Sequence, residues 1–169
     1  LTGVAYGAGE KSDVALRVIA DHSRTCAFLI GDGVIPGNEG RGYVLRRLMR
    51  RVIRNMRILG CEEPSIGELM TTTIATMAPQ YPELNDEASR IGSISVQEEA
   101  AFLQTLKTGT QIFDMAAAEV RSNGAGVLPG DQAFALQQHH PGGDAHQHRG
   151  PEGDQDADQD QVGPPLGQA

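Results

Sequence analysis

Gly42-Tyr43-Val44-Leu45-Arg46-Arg47-Leu48-Met49-Arg50-Arg51-Val52-Ile53-Arg54-Asn55-Met56-Arg57-Ile58-Leu59-Gly60 is the stretch on which the reading of this chain turns. Wound at 3.6 residues per turn, it gathers Val44, Leu45, Leu48, Met49, Val52, Met56 and Leu59 over roughly 140° of a helical wheel. Arg46, Arg47, Arg50, Arg54 and Arg57 occupy roughly the opposite 100°. The segment therefore predicts a helix, starting at Glu39 or Gly42 and ending at Leu59, with one face for a protein core and one cationic face. Gly60 supplies the stop, because glycine takes the left-handed conformation cheaply. Between Arg41 and Gly60 stand seven arginines and no acid, half of the 14 Lys and Arg of the whole chain.

Helices are predicted on either side. Over residues 13–31, Val14, Val18, Ile19, Cys26, Leu29 and Ile30 form one stripe, with Ser12 or Asp13 as cap and Gly31-Asp32-Gly33 as breaker. A third helix is signalled by Ile66, Leu69, Met70, Ile74 and Met77, with Ser65 and Glu68 as a capping box and Pro79 and Pro82 beyond its end. From about residue 84 to 121 runs a longer helix or a helix pair, with a second capping box at Ser95 and Glu98 and an apolar series Phe102, Leu106, Phe113, Ala117 and Val120. Gly92 and Gly109 weaken it locally. After Val127-Leu128-Pro129-Gly130 another helix begins over residues 131–136. From Gln137 the composition shifts to Gln, Gly, Asp, His and Pro, with no Ile, Met, Phe, Tyr or Trp. Such a segment buries too little apolar surface to offset its ordering entropy and is expected to be a disordered, low-complexity tail. The fold class expected is all-α, a helical bundle with that tail. Three parts follow: 1–12 as a linker, 13–136 as the helical domain, and 137–169 as the tail.

The 169 residues suit one domain with a tail, and the start at Leu1 without a signal peptide points to a fragment. No run of about 18 apolar residues exists, so a membrane partner is not expected and a cytoplasmic location is. Cys26 and Cys61 form no paired-cysteine motif, which argues against a disulfide framework and a zinc ribbon. A net charge of -8 argues against a nucleic-acid partner only if the charge is spread evenly. Here it is segregated.

A row of guanidinium groups along one helix face can follow a phosphate backbone, each planar fork making bidentate contacts. The bland alternative is a solvated exterior, yet no acid within the helix stands three or four residues from Arg46, Arg47, Arg50, Arg51 or Arg54. In Pro36-Gly37-Asn38-Glu39-Gly40-Arg41-Gly42, small residues allow close backbone approach, and the Asn38 carboxamide can read a base edge or a 2′-hydroxyl in an RNA minor groove. Taken alone, those residues fit Asn38 better as a cap of the second helix. Gly7-Ala8-Gly9-Glu10-Lys11-Ser12 lacks the glycine that a phosphate loop needs before its lysine, and the glycines at 37, 40 and 42 lack the dinucleotide spacing. His22 and Cys26, four apart, fit a packed pair better than metal ligands, and His139, His140, His146 and His148 in the tail are read as chelating only incidentally. No catalytic triad can be assembled.

Ala15-Leu16-Arg17-Val18-Ile19-Ala20-Asp21-His22, Ala27-Phe28-Leu29-Ile30-Gly31-Asp32-Gly33-Val34 and Asn38-Glu39-Gly40-Arg41-Gly42-Tyr43-Val44-Leu45-Arg46-Arg47 together closely resemble alanyl-tRNA synthetases. The resemblance is strong from residue 14 to 60, looser to 120, and recognisable again over 127–136. It implies a class II synthetase that activates alanine with ATP and Mg²⁺ and esterifies the terminal adenosine of its tRNA. It also places residues 13–136 in the helical tRNA-recognition domain that follows the catalytic domain. Asn38 matches the family's asparagine beside the G·U wobble pair of the acceptor stem. The tRNA-binding set it implies is Asn38, Arg41, Arg46, Arg47, Arg50, Arg51 and Arg54, with the tRNA(Ala) acceptor stem rather than DNA as partner. The ATP and alanine motifs lie upstream in the family and the zinc-bearing editing domain downstream, so the fragment is expected to be inactive alone, with no catalytic residue and no metal site of its own. After Ala133-Phe134-Ala135-Leu136 the family continues through a Tyr-Gly-Phe-Pro segment to an aspartate that helps recognise the wobble pair. Here Gln137-Gln138-His139-His140-Pro141 follows instead, which points to a reading-frame slip or an artificial junction and the loss of half the clamp.

Two further readings stand beside a fragment of an alanine-tRNA ligase. One is a stand-alone helical RNA-binding module without catalysis. The other is a purely structural bundle whose arginines pair with acids such as Glu62, Glu63, Glu98 and Glu99.

Overall fold

The computed structural model describes residues 1–124, 127–131 and 133, and the described residues contain helices and no strand. Five helices follow in order: α1 (Glu10–Gly31), α2 (Gly40–Ile58), α3 (Ile66–Met77), the single turn α4 (Glu83–Asp86) and α5 (Ala88–Ser122). The all-α expectation holds among these residues. The expected tail from 137, with its histidines, lies outside them, as does most of the helix expected over 131–136.

Helix α1 begins three residues before the predicted start. Gly9 occupies the N-cap, Ser12 donates to the Gly9 carbonyl, and the Asp13 carboxylate accepts from Gly7 N–H at 2.8 Å. Neither Ser12 nor Asp13 is thus the cap residue. The buried face of α1 is Ala15, Ile19, Ser23, Cys26, Ala27 and Ile30, whereas Val14 is half exposed. The stripe read from large apolar residues is rotated toward the small ones, because Ala15, Ser23 and Ala27 let neighbouring helices approach closely. Ser23 meets Thr73 of α3 hydroxyl to hydroxyl at 3.3 Å.

Two cores result. Cys26, Ile30, Leu45, Met49, Ile53, Ile66, Met70, Leu84, Ile91 and Phe102 fill the larger one, and Ala15, Ile19, Val52, Met56 and Leu59 the smaller. Helices α1 and α2 pack most extensively, and α5 closes the bundle against α3, α1 and α2. Gly67 allows the α3–α5 approach: a Cβ there would stand 3.0 Å from a Val96 methyl.

Helix α5 runs unbroken through Gly92 and Gly109 for 35 residues. Neither predicted capping box forms. Ser95 and Glu98 lie inside α5, and Ser65 makes no side-chain cap bond at α3. The acceptor at the start of α3 comes from another helix: the Glu99 carboxylate, 3% exposed, takes Ser65 N–H at 3.0 and 3.1 Å and Ile66 N–H at 3.2 and 3.3 Å. A carboxylate there also meets the positive end of the helix dipole. Beyond Phe102 and Leu106, α5 stands away from the core, leaving Phe113 and Met115 exposed.

Candidate nucleic-acid interface

The segment from 34 to 38 leaves α1 and folds back over the first turn of α2. Val34 N–H donates to Leu29 O at 2.9 Å, and Gly37 N–H donates to Gly42 O at 3.0 Å. Gly42 is required sterically, since a Cβ there would lie 2.6 Å from Ile35 O and 3.0 Å from Gly37 N. This contact carries Asn38 to the surface at the N-terminal end of α2, exposed. Asn38 does not cap that helix. The N-cap position belongs to Glu39, which makes no side-chain cap bond. Instead the Asn38 Oδ1 accepts from Arg46 Nη1, and Arg46 Nη2 reaches Pro36 O at 3.5 Å.

On α2 the core face is Leu45, Met49, Val52, Ile53, Met56 and Leu59, with Leu48 partly buried against it. Val44, placed in the core by the wheel, is 51% exposed, and Ile53, left out of it, is buried. That rotation decides the fate of the arginines. Arg46 and Arg50 flank the core beside Ile53 and turn inward. Arg46 Nε lies 3.3 Å from Glu98 Oε2 and Arg50 Nε lies 2.8 Å from Glu98 Oε1. Glu98 is buried, and the Arg50 guanidinium also lies over the Phe102 ring, 5.1 Å from its centroid. The expectation that both stand free on the outer face is therefore corrected. The acid that meets them comes from α5, about fifty residues away, where no helical spacing rule reaches. Of the acids named for the structural reading, Glu98 does form these ion pairs, and Glu62 contributes only its backbone carbonyl, which accepts from Arg57 at 2.9 Å.

Arg41, Arg47, Arg51 and Arg54 remain. All four are exposed, and no carboxylate among the described residues pairs with them. Arg47, Arg51 and Arg54 are spaced i, i+4, i+7 opposite the core, a row roughly 10 Å long at 1.5 Å per residue. Exposed Val44 and Ile58 flank it. Such a face offers planar donors without competing acids, which is what phosphate oxygens require.

The sequence reading names Glu98 only as one of four acids that a purely structural bundle would use, and does not single it out as the partner of Arg46 and Arg50 behind this site. The signal available was the adjacency of Glu98 and Glu99 between Ile94 and Phe102, two carboxylates in a stretch that packs on the core.

His22 and Cys26 both lie on α1, one turn apart, and Cys26 is fully buried. Burial pushes the Cys26 thiol up to about 12, and His22 Nδ1 lies 3.5 Å from the Asp21 carboxylate. Among the described residues no three of His, Cys, Asp and Glu gather as metal ligands.

Comparison with known proteins gives a concordant picture. The family model described as tRNA synthetases class II (A) matches residues 1–141. The alanine–tRNA ligase of Streptomyces avermitilis is 60% identical over 136 residues, which are 80% of this chain and 15% of that protein. The alanine–tRNA ligases of Frankia alni and Corynebacterium efficiens are 58% and 52% identical over the same length, again 80% of this chain and 15% of theirs.

Proposed function

Because this chain belongs to the class II (A) tRNA synthetases and spans about 15% of the length of the curated relatives it matches, we propose that it is the acceptor-stem-binding region of an alanine–tRNA ligase. Arg41, Arg47, Arg51 and Arg54 lie along the ribose-phosphate backbone of the stem, and Asn38 faces its base pairs. Arg46 and Arg50, assigned to phosphates by sequence, hold the site together from behind. The observation that carries this reading is the arginine row on α2, which no carboxylate among the described residues pairs, beside a surface carboxamide. A purely structural role accounts for Arg46 and Arg50 but leaves that row without a purpose.

The whole protein, on this reading, works in the cytoplasm and takes alanine, ATP with Mg²⁺, and tRNA(Ala). Adenylate chemistry and a zinc-bearing editing site belong to parts of the sequence other than this one.

Binding of the chain to acceptor-stem hairpins, measured against salt, tests the reading. Replacing Arg47, Arg51 or Arg54 singly by glutamine weakens binding to every stem alike and flattens the log–log salt slope by less than about one unit each. Asn38→Ala leaves the slope alone and removes preference for a stem carrying the G·U wobble. Absence of RNA binding, or binding insensitive to salt, refutes it.

A further inference from the structure

Building on that reading, we infer that Glu98 is a positioning residue for stem discrimination: through Arg46 it fixes which end of the Asn38 carboxamide is presented to RNA. A carboxamide has an acceptor end and a donor end of nearly the same shape. On an exposed loop, free to flip, it offers both and distinguishes poorly between ligands. Arg46 removes the ambiguity, because a guanidinium carries only donors and so can engage only Oδ1, which leaves the Nδ2 donors facing outward.

Arg46 can do this only if it is itself held. Its side chain is long and would otherwise sample many rotamers. Glu98 receives its Nε from the bundle side, and the same carboxylate receives Arg50, whose guanidinium is seated on Phe102. The chain of contacts therefore runs from α5 through α2 to the loop and ends on an amide that neither packs in the core nor caps a helix. An ion pair serving stability alone would have no need of that last link.

Three variants of the 169-residue chain, Asn38→Ala, Glu98→Gln and Glu98→Ala, separate the roles, with circular dichroism reporting on folding. The first readout is the ratio of dissociation constants for two acceptor-stem hairpins that differ only in G·U against G·C at the wobble position. The second is the ¹⁵N side-chain amide signal of Asn38, assigned by its loss in Asn38→Ala. We expect folded Glu98→Gln and Glu98→Ala to lower the preference by roughly tenfold, about what loss of one oriented hydrogen bond gives. The salt slope should steepen in both, because Arg46 and Arg50 are released, and the Asn38 amide signal should move toward that of a free asparagine. Combined with Asn38→Ala, the Glu98 changes should have no further effect on preference. A loss confined to stability, with preference and amide signal unchanged in Glu98→Gln, overturns the inference while leaving the RNA-binding proposal standing. If Asn38→Ala itself leaves the preference intact, or the chain binds neither hairpin, the proposal fails and takes this inference with it. Should Glu98→Ala not fold, Glu98→Gln, of the same shape, and its amide signal give the decision.

Discussion

Replacing Glu99 by alanine tests whether α3 is started from outside its own sequence. The carboxylate accepts from Ser65 N–H and Ile66 N–H, and both residues are buried, at 6% and 1% exposure. Its removal leaves two buried backbone donors without an acceptor, each costing about 1–3 kcal/mol. Water entering the space left by the shortened side chain recovers part of this, so we expect a net loss of roughly 2–4 kcal/mol, above the about 0.5–2 kcal/mol of ordinary cap substitutions because two buried donors are orphaned at once. Urea unfolding followed by far-ultraviolet circular dichroism reads it: with m near about 1.5 kcal/mol/M, the midpoint falls by roughly 1.3–2.7 M. Glu99→Gln keeps one acceptor oxygen and should lose less. Glu68→Ala is the control, since Glu68 is exposed and forms no cap bond, and its effect should stay within about 0.5 kcal/mol. A loss below about 0.5 kcal/mol for Glu99→Ala, or a larger one for Glu68→Ala, refutes the argument.

Changing Arg47, Arg51 and Arg54 together to glutamine should cut the salt slope of hairpin binding by roughly two units and leave the urea midpoint almost unchanged, because none is paired within the described fold. Gly42→Ala should displace the 35–37 segment, break the Gly37–Gly42 bond and reduce wobble preference more than overall affinity, read from the same two hairpins. Cys26 should resist alkylation near pH 9 in the folded chain while Cys61 reacts, and both should react in urea. Since burial raises the Cys26 thiol from its ordinary 9.0 to about 12, its contribution to stability is complete below pH 9.0 and is lost as pH climbs toward 12, which urea midpoints taken across that range will show.

Helices were legible where the apolar period is strong. The spans of α2 and α3 agree with the sequence reading within a few residues, because their large apolar side chains repeat at helical spacing. What failed was anything decided by a distant partner. Capping boxes at Ser65 and Ser95 are local patterns, and a carboxylate from α5 replaced one while the interior of a long helix absorbed the other. The α1 stripe was misplaced because Ala15, Ser23 and Ala27 carry little hydrophobic weight yet decide how near a neighbour can come. At the candidate site, Asn38 and the arginines could be picked out by type and position. That two of those arginines face inward could not, since it depends on which wheel edge meets α5.

Glu98 and Glu99 are successive residues of one helix, yet they serve different neighbours, one gripping α2 and the other the first turn of α3. Like two prongs of a plug, they set both the rotation and the height of α5: a turn of about 100° or a slip of about 1.5 Å, the step of one residue, would withdraw both at once. Sliding α5 by one residue therefore gives up contacts to α2 and to α3 together, and through Glu98 and Arg46 that long rod is tied to the loop that carries Asn38.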